Sequence, residues 1–243
     1  MRIMINRFEI AYKGGGAKKM PRYQNDVVEE KMVSGGGRTM LDETYKPKPG
    51  RLSDRDIMYL CIGDKPMISP FLAKQVGKPS AGLSSSGYDL RLGAKFLRKR
   101  DYGGSTARPY QVMDVKDPDI GGMWYEDKPD QNNIIMLRPL ESILTETVET
   151  IDMPDDVQAL VFGKSSYARA NVLVNATPLE PGWRGIVTLE IHNCDPNAAV
   201  LLYVGQGIAQ AVFSRMANPP ARTYSNRESG GAYQDQSGVT TSK

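Results

Sequence analysis

A chain of 243 residues with 31 Lys plus Arg, 28 Asp plus Glu, one His, two Cys and 40% hydrophobic residues carries enough apolar material for a real core in one or two domains. Two thiols, Cys61 and Cys194, with no CxxC spacing exclude a disulfide scaffold, and even with His192 they exclude a four-ligand zinc cage; they fit a reducing compartment. The first fifty residues hold ten Lys/Arg against six Asp/Glu and the rest are near neutral, so the body has no basic stripe for a nucleic-acid footprint.

No apolar run approaches the about 20 residues of a membrane helix. Arg2, Arg7 and Glu9 interrupt the N-terminus, so it lacks the unbroken core of a secretory leader, and the reading places the protein in the cytoplasm, away from membranes.

Residues 1–50 contain two glycine triplets, 14–16 and 35–37, and little apolar period. They read as a basic, Gly-rich extension, either partly mobile or an arm that docks on a neighbouring subunit. At residue 51 the pattern changes: Ser53 as N-cap with Asp56 three residues on predicts a short helix. Period-two or β-branched runs then predict strands at 88–92, 134–137, 142–151, 157–162, 172–175, 185–192, 199–204 and 208–213, with one helical turn at 165–170. Many short strands at this spacing predict an all-β barrel or jelly roll over residues 51–217. Residues 218–243, rich in Ser, Gly, Gln and Tyr, read as a mobile tail.

Two segments carry chemistry. In 159–169, strand gives way to glycine, Lys164, Ser165 and Ser166 at a helix start, a combination that binds anions through free N–H groups and a cation. The alternative is a plain strand-to-helix junction capped by Ser165. It is not a Walker A loop, because Gln158 stands where the first glycine belongs. In 177–193 a Pro181-Gly182 turn leads into a strand with Val187, Leu189 and Ile191 on one face and Thr188, Glu190 and His192 on the other. Glu190 is either a solvated strand carboxylate or, if its face closes over, a general base.

The strings GKSSYAR, EPGWRGIVTLEIHN and GLSSSGYDLRLG, with RLSDRDI at 51–57 and the tail string RTYSNRESGGAYQDQSGVT, resemble the dCTP deaminase branch of the trimeric dUTPase superfamily, in one order over about residues 51–240. The resemblance implies a distorted jelly-roll fold with a few short helices and a homotrimer with shared active sites. It implies a tail that closes over bound nucleotide, and hydrolytic deamination of dCTP to dUTP and ammonia. Mg2+ would ride on the triphosphate with no catalytic zinc. The zinc deaminases need HxE and PCxxC motifs, and this chain has neither.

By position, the resemblance makes Glu190 the general base, Ser165 and Arg169 the groups that place water and steady the tetrahedral centre, and Lys164 and Ser166 phosphate ligands. Tyr224 and Gln236 close over sugar and phosphate, Thr188 joins the substrate-binding set, and Glu180 stands where relatives carry an Asp that contacts the deoxyribose. Three departures stand out: Glu for Asp at 180, a stretch from Arg169 to Glu180 that is shorter by two residues, and Ala232 in place of a tail Lys. They leave base preference, feedback by dTTP and phosphate count open. The competing readings are a dUTP diphosphatase, a bifunctional enzyme, a deaminase of dCMP, and a non-catalytic nucleotide-binding protein. Glu190 argues for deamination and against the pure diphosphatase.

Overall fold

The computed structural model describes residues 45–100, 116, 123–228 and 231–241. The N-terminal extension up to residue 44 lies outside them. In chain order the elements are β1 (Gly50–Arg51), α1 (Asp54–Cys61), β2 (Ile68–Ser69), β3 (Gly82–Ser84), β4 (Gly87–Lys99), β5 (Trp124–Asp127), β6 (Ile134–Leu137) and β7 (Ser142–Asp152). They continue with β8 (Val157–Gly163), α2 (Ser165–Ala168), β9 (Val172–Asn175), β10 (Arg184–Asn193), β11 (Val200–Tyr203) and β12 (Gly207–Arg215). All sheet pairings are antiparallel, and the all-β class expected from the strand pattern is the class observed.

Among the described residues ten strands join in one curled sheet, six along the path β1-β12-β4-β7-β10-β9 and four beside it, β2 on β7, β3 and β5 on β4, and β8 on β12, while β6 and β11 form a separate pair. Strand β4 makes the curl. Its first half pairs with β12 and its second half with β7 and β5, with a register shift between Leu92 and Phe96. Gly93 sits at that bend because a Cβ there would come within 2.6 Å of the Glu146 side chain and 2.8 Å of its carbonyl oxygen; only a residue without a side chain lets the strands approach so closely.

The inward faces bury Leu52, Tyr88, Leu90, Leu92, Phe96, Ile151, Leu189, Ile208 and Phe213 in one continuous core. Helix α1 closes one end, and its cap is the expected one: Ser53 Oγ accepts from Asp56 N while Asp56 Oδ2 accepts from Ser53 N. Burial pushes the Cys61 thiol on this helix up to about 12, so it packs as an uncharged apolar group. Across β4 and β7, Arg91 Nε meets Glu149 Oε1 at 2.6 Å, Arg91 N donates to Glu149 Oε2 at 2.9 Å, and Arg91 Nη2 donates to Pro70 O. This fork satisfies a carboxylate whose side chain is fully buried.

Besides the short strands β2, β3 and β5, which the pattern does not predict, the structure departs from the sequence expectations in four places. The domain begins before residue 51: Tyr45 donates to Asp56, Arg215 donates to Pro47 O, and Gly50–Arg51 already pairs with β12. The strand predicted at 88–92 runs on to Lys99, because Arg98, charged but buried, is paired with Asp127 and Glu141. The helix at 165–170 is a single turn whose N-cap is Lys164 with no side-chain cap bond, so Ser165 is its first helical residue and not its cap. The tail read as mobile is tied down over residues 231–241, as the site geometry makes clear.

Candidate active site

Strand β10 alternates as expected: Val187, Leu189 and Ile191 are buried, and Thr188, Glu190 and His192 face outward at intermediate exposure. The register places Glu190 opposite Leu144 of β7 on one side and Asn175 of β9 on the other. Asn175 Nδ2 donates to Glu190 Oε2 at 2.5 Å. Glu190 and Thr188 line a cavity of about 380 Å³, in the size range of small-ligand sites. The loop leading into β10 supplies Thr177 and Glu180, and both tryptophans of the chain, Trp124 and Trp183, stand in the wall with Tyr224 and Tyr233. Trp183 is held by its Nε1, which donates to Tyr233 O at 3.0 Å.

The C-terminal segment adds wall alongside β10. Ile186 N donates to Gln236 O at 2.8 Å, Asp235 N donates to Arg184 O at 2.9 Å, and Gln236 Nε2 donates to both Ile186 O and Thr188 Oγ1 at 2.7 Å. Thr240 N adds a bond to Thr188 Oγ1. Gly185 permits this docking, since a Cβ there would lie 3.0 Å from the Gln236 backbone. Beyond Gln236 the segment meets Glu146, whose Oε2 accepts from Val239 N. Burial pushes the Glu146 carboxyl up, against the opposing pull of Lys95 and of the Val239 N–H. Polar bonds along a strand edge, which composition does not reveal, thus replace an apolar anchor.

At the cavity mouth Glu180 pairs with Arg227, and the Arg227 guanidinium lies 4.7 Å from the centre of the Tyr224 ring. Tyr224 is braced at both ends: its N donates to Pro181 O and its hydroxyl accepts from Tyr233 N. Of the residues singled out from sequence, Glu190, Thr188, Glu180, Tyr224 and Gln236 therefore meet around one cavity.

The remaining four do not line it. Ser165, Ser166 and Arg169 are exposed on and just after α2, where Arg169 Nη1 donates to Ser165 Oγ at 3.1 Å. Lys164, read from sequence as a phosphate ligand, has its ammonium 2.7 Å from the buried Asp89 carboxylate and within 3.1 Å of Ser80 Oγ. It pins the turn after β8 to β4. Asn175 and Trp124 carry no motif in the sequence, because each reaches the site through pairing with residues far along the chain. Among the described residues no three His, Cys, Asp or Glu side chains converge as a metal-ligand set, and no helix is long and apolar enough to cross a membrane.

A curled all-β domain with a mid-strand carboxylate, Glu190, and a second one, Glu180, in an aromatic cavity walled by its own C-terminal segment is the class of protein these observations define. The same fold occurs in the crystal structure of 2′-deoxycytidine 5′-triphosphate deaminase from Agrobacterium tumefaciens, with a TM-score of 0.51 at 21% identity, covering 69% of this chain and 48% of that one. The chain belongs to the dCTP deaminase-like family, whose model matches residues 51–216. Similar proteins include the dCTP deaminases of Campylobacter fetus, 38% identical over 193 residues with 79% of this chain and 96% of that one covered, and of Pelagibacter ubique, 37% identical over 194 residues with 79% and 98% covered. The dCTP deaminase of Helicobacter pylori is 39% identical over 180 residues, covering 73% and 89%.

Proposed function

We propose that the protein hydrolyses dCTP to dUTP and ammonia, with Glu190 as the general base. The observation that carries this reading is the placement of Glu190: a carboxylate in mid-strand, lining a nucleoside-sized cavity beside Thr188, in a chain of the dCTP deaminase-like family. Glu190 takes a proton from water as the oxygen attacks C4 of cytosine and delivers it to N3, then takes the proton of the new C4 hydroxyl and passes it to the departing amino group. The C4–N bond breaks as the C4 carbonyl forms, so dCTP and water become dUTP and ammonia. Proton transfer by a positioned side chain contributes about 10²–10⁴-fold.

The sugar lies against Tyr224, with Glu180 and its partner Arg227 beside it, and Gln236 serves the phosphates together with Ser166 of a second copy, since Ser166 does not line the cavity of its own chain. Lys164, held by Asp89 and Ser80, has one of its three N–H donors left to join them. Mg2+ enters as part of the substrate, on the triphosphate. A cytoplasmic location belongs to the same reading, supported by two free cysteines, Cys61 and Cys194.

Ser165 and Arg169 complete the site from a second copy, in a homotrimer with shared active sites. This is supported by the apolar surface around α2: Leu160 and Phe162 on β8 and Leu173 on β9 are 47%, 54% and 58% exposed, a patch that a second copy would cover. In the test, Glu190→Gln and Arg169→Ala chains are each inactive alone and are then co-expressed. Mixed assemblies regain about a quarter of wild-type ammonia release, because random mixing of copies reunites an intact Glu190 with an intact Arg169 in that share of shared sites. No recovery in mixed assemblies of proven composition contradicts a shared site.

A further inference from the structure

Glu190 has two cross-strand neighbours, and only one of them can hold it. Leu144 of β7 is apolar; Asn175, the last residue of β9, faces it across the β9–β10 pair. Directly opposed side chains on one sheet face stand close enough for contact. A carboxylate only accepts hydrogen bonds, so the amide atom at Oε2 is the Nδ2 donor, and the orientation of the Asn175 side chain follows from chemistry. Among the described residues no group donates to the second oxygen, Oε1.

We infer that Asn175 is the positioning residue for the general base: it fixes the Glu190 carboxylate through Oε2 and leaves Oε1 as the atom that takes the proton of the attacking water. The inference rests on the deaminase reading and adds the division of labour between the two oxygens. A long, rotatable Glu on the outward face of a sheet has many rotamers, and a near-attack arrangement requires one of them. Asn175 is itself exposed on β9, so its bond adds little to folding, and its effect falls on the orientation of Glu190.

The test measures steady-state ammonia release from Mg·dCTP by wild type, Asn175→Ala, Asn175→Gln and Asn175→Asp, with thermal unfolding of each. Loss of a hydrogen bond to a charged group predicts a kcat about 10- to 100-fold lower in Asn175→Ala. KM stays within about threefold and the unfolding midpoint is unchanged, because the bond orients the base without adding to ground-state binding. Asn175→Gln, which keeps the donor, recovers most of the rate. Asn175→Asp moves the acid limb of the pH–rate profile upward, because two carboxyl groups sharing a site resist joint ionisation. Wild-type kcat in Asn175→Ala, an effect confined to KM, or no recovery by Asn175→Gln overturns the positioning role while the deaminase reading stands. A wild type that releases no ammonia overturns both.

Discussion

Glu190→Gln leaves the fold and nucleotide binding nearly intact and lowers ammonia release from dCTP by at least about a hundredfold, the lower bound for removal of a general base. The substitution is close to isosteric. Its carbonyl oxygen still accepts from Asn175 Nδ2, its methylenes still pack beside Leu144, and the buried side of β10 is untouched. What it lacks is a site that can take a proton from water. The loss therefore falls on kcat, with KM for dCTP little changed, the signature of an interaction used on the way to the transition state. Ammonia release by coupled assay, with nucleotide binding measured separately, checks it. Comparable turnover in the variant contradicts the assignment of Glu190.

The second large effect lies in the core. Glu149→Ala leaves Arg91 buried between β4 and β7 with its charge unpaired and its Nε without an acceptor. Breaking such a pair costs about 3–5 kcal/mol. For a domain of this size the unfolding midpoint falls by roughly 10 °C at fixed protein concentration. The double replacement Arg91→Met with Glu149→Leu recovers much of that loss, because two apolar side chains of similar volume need no partner. Thermal unfolding of the three proteins checks both statements. A Glu149→Ala midpoint within about 2 °C of wild type shows that the pair contributes little at this site.

The part of the fold legible in the sequence is the part built from repetition. Val187, Leu189 and Ile191 alternate cleanly with Thr188, Glu190 and His192, and β10 was readable together with the face that carries the site. The Ser53 and Asp56 cap was readable for the same reason: both partners lie within one helical turn. What escaped depends on partners distant in sequence. The second half of β4 looks too charged for a central strand until Arg98 is seen paired with Asp127 and Glu141. Lys164 looks like a free anion ligand until Asp89, on another strand, is found against it.

The candidate site divides along the same line. Glu190, Thr188 and Glu180 come from one motif, and local pattern brought them together. Asn175 has no motif of its own; its significance comes from the register that sets it opposite Glu190. The C-terminal segment is poor in aliphatic residues, so composition pointed to a loose end, whereas Gln236 and Thr240 secure it through the Thr188 hydroxyl. Ser165 and Arg169, which the resemblance sets beside Glu190, are bonded to each other at 3.1 Å on a surface outside the cavity lining.

The measurement that bears most directly on the proposed reaction incubates the purified full chain with dCTP and Mg2+ and quantifies ammonia, dUTP, dUMP and pyrophosphate over time. Deamination yields ammonia and dUTP in equal amounts from the first time points. Absence of ammonia, with dUTP supplied in a parallel reaction cleaved to dUMP and pyrophosphate, contradicts it and identifies the cavity as that of a diphosphatase.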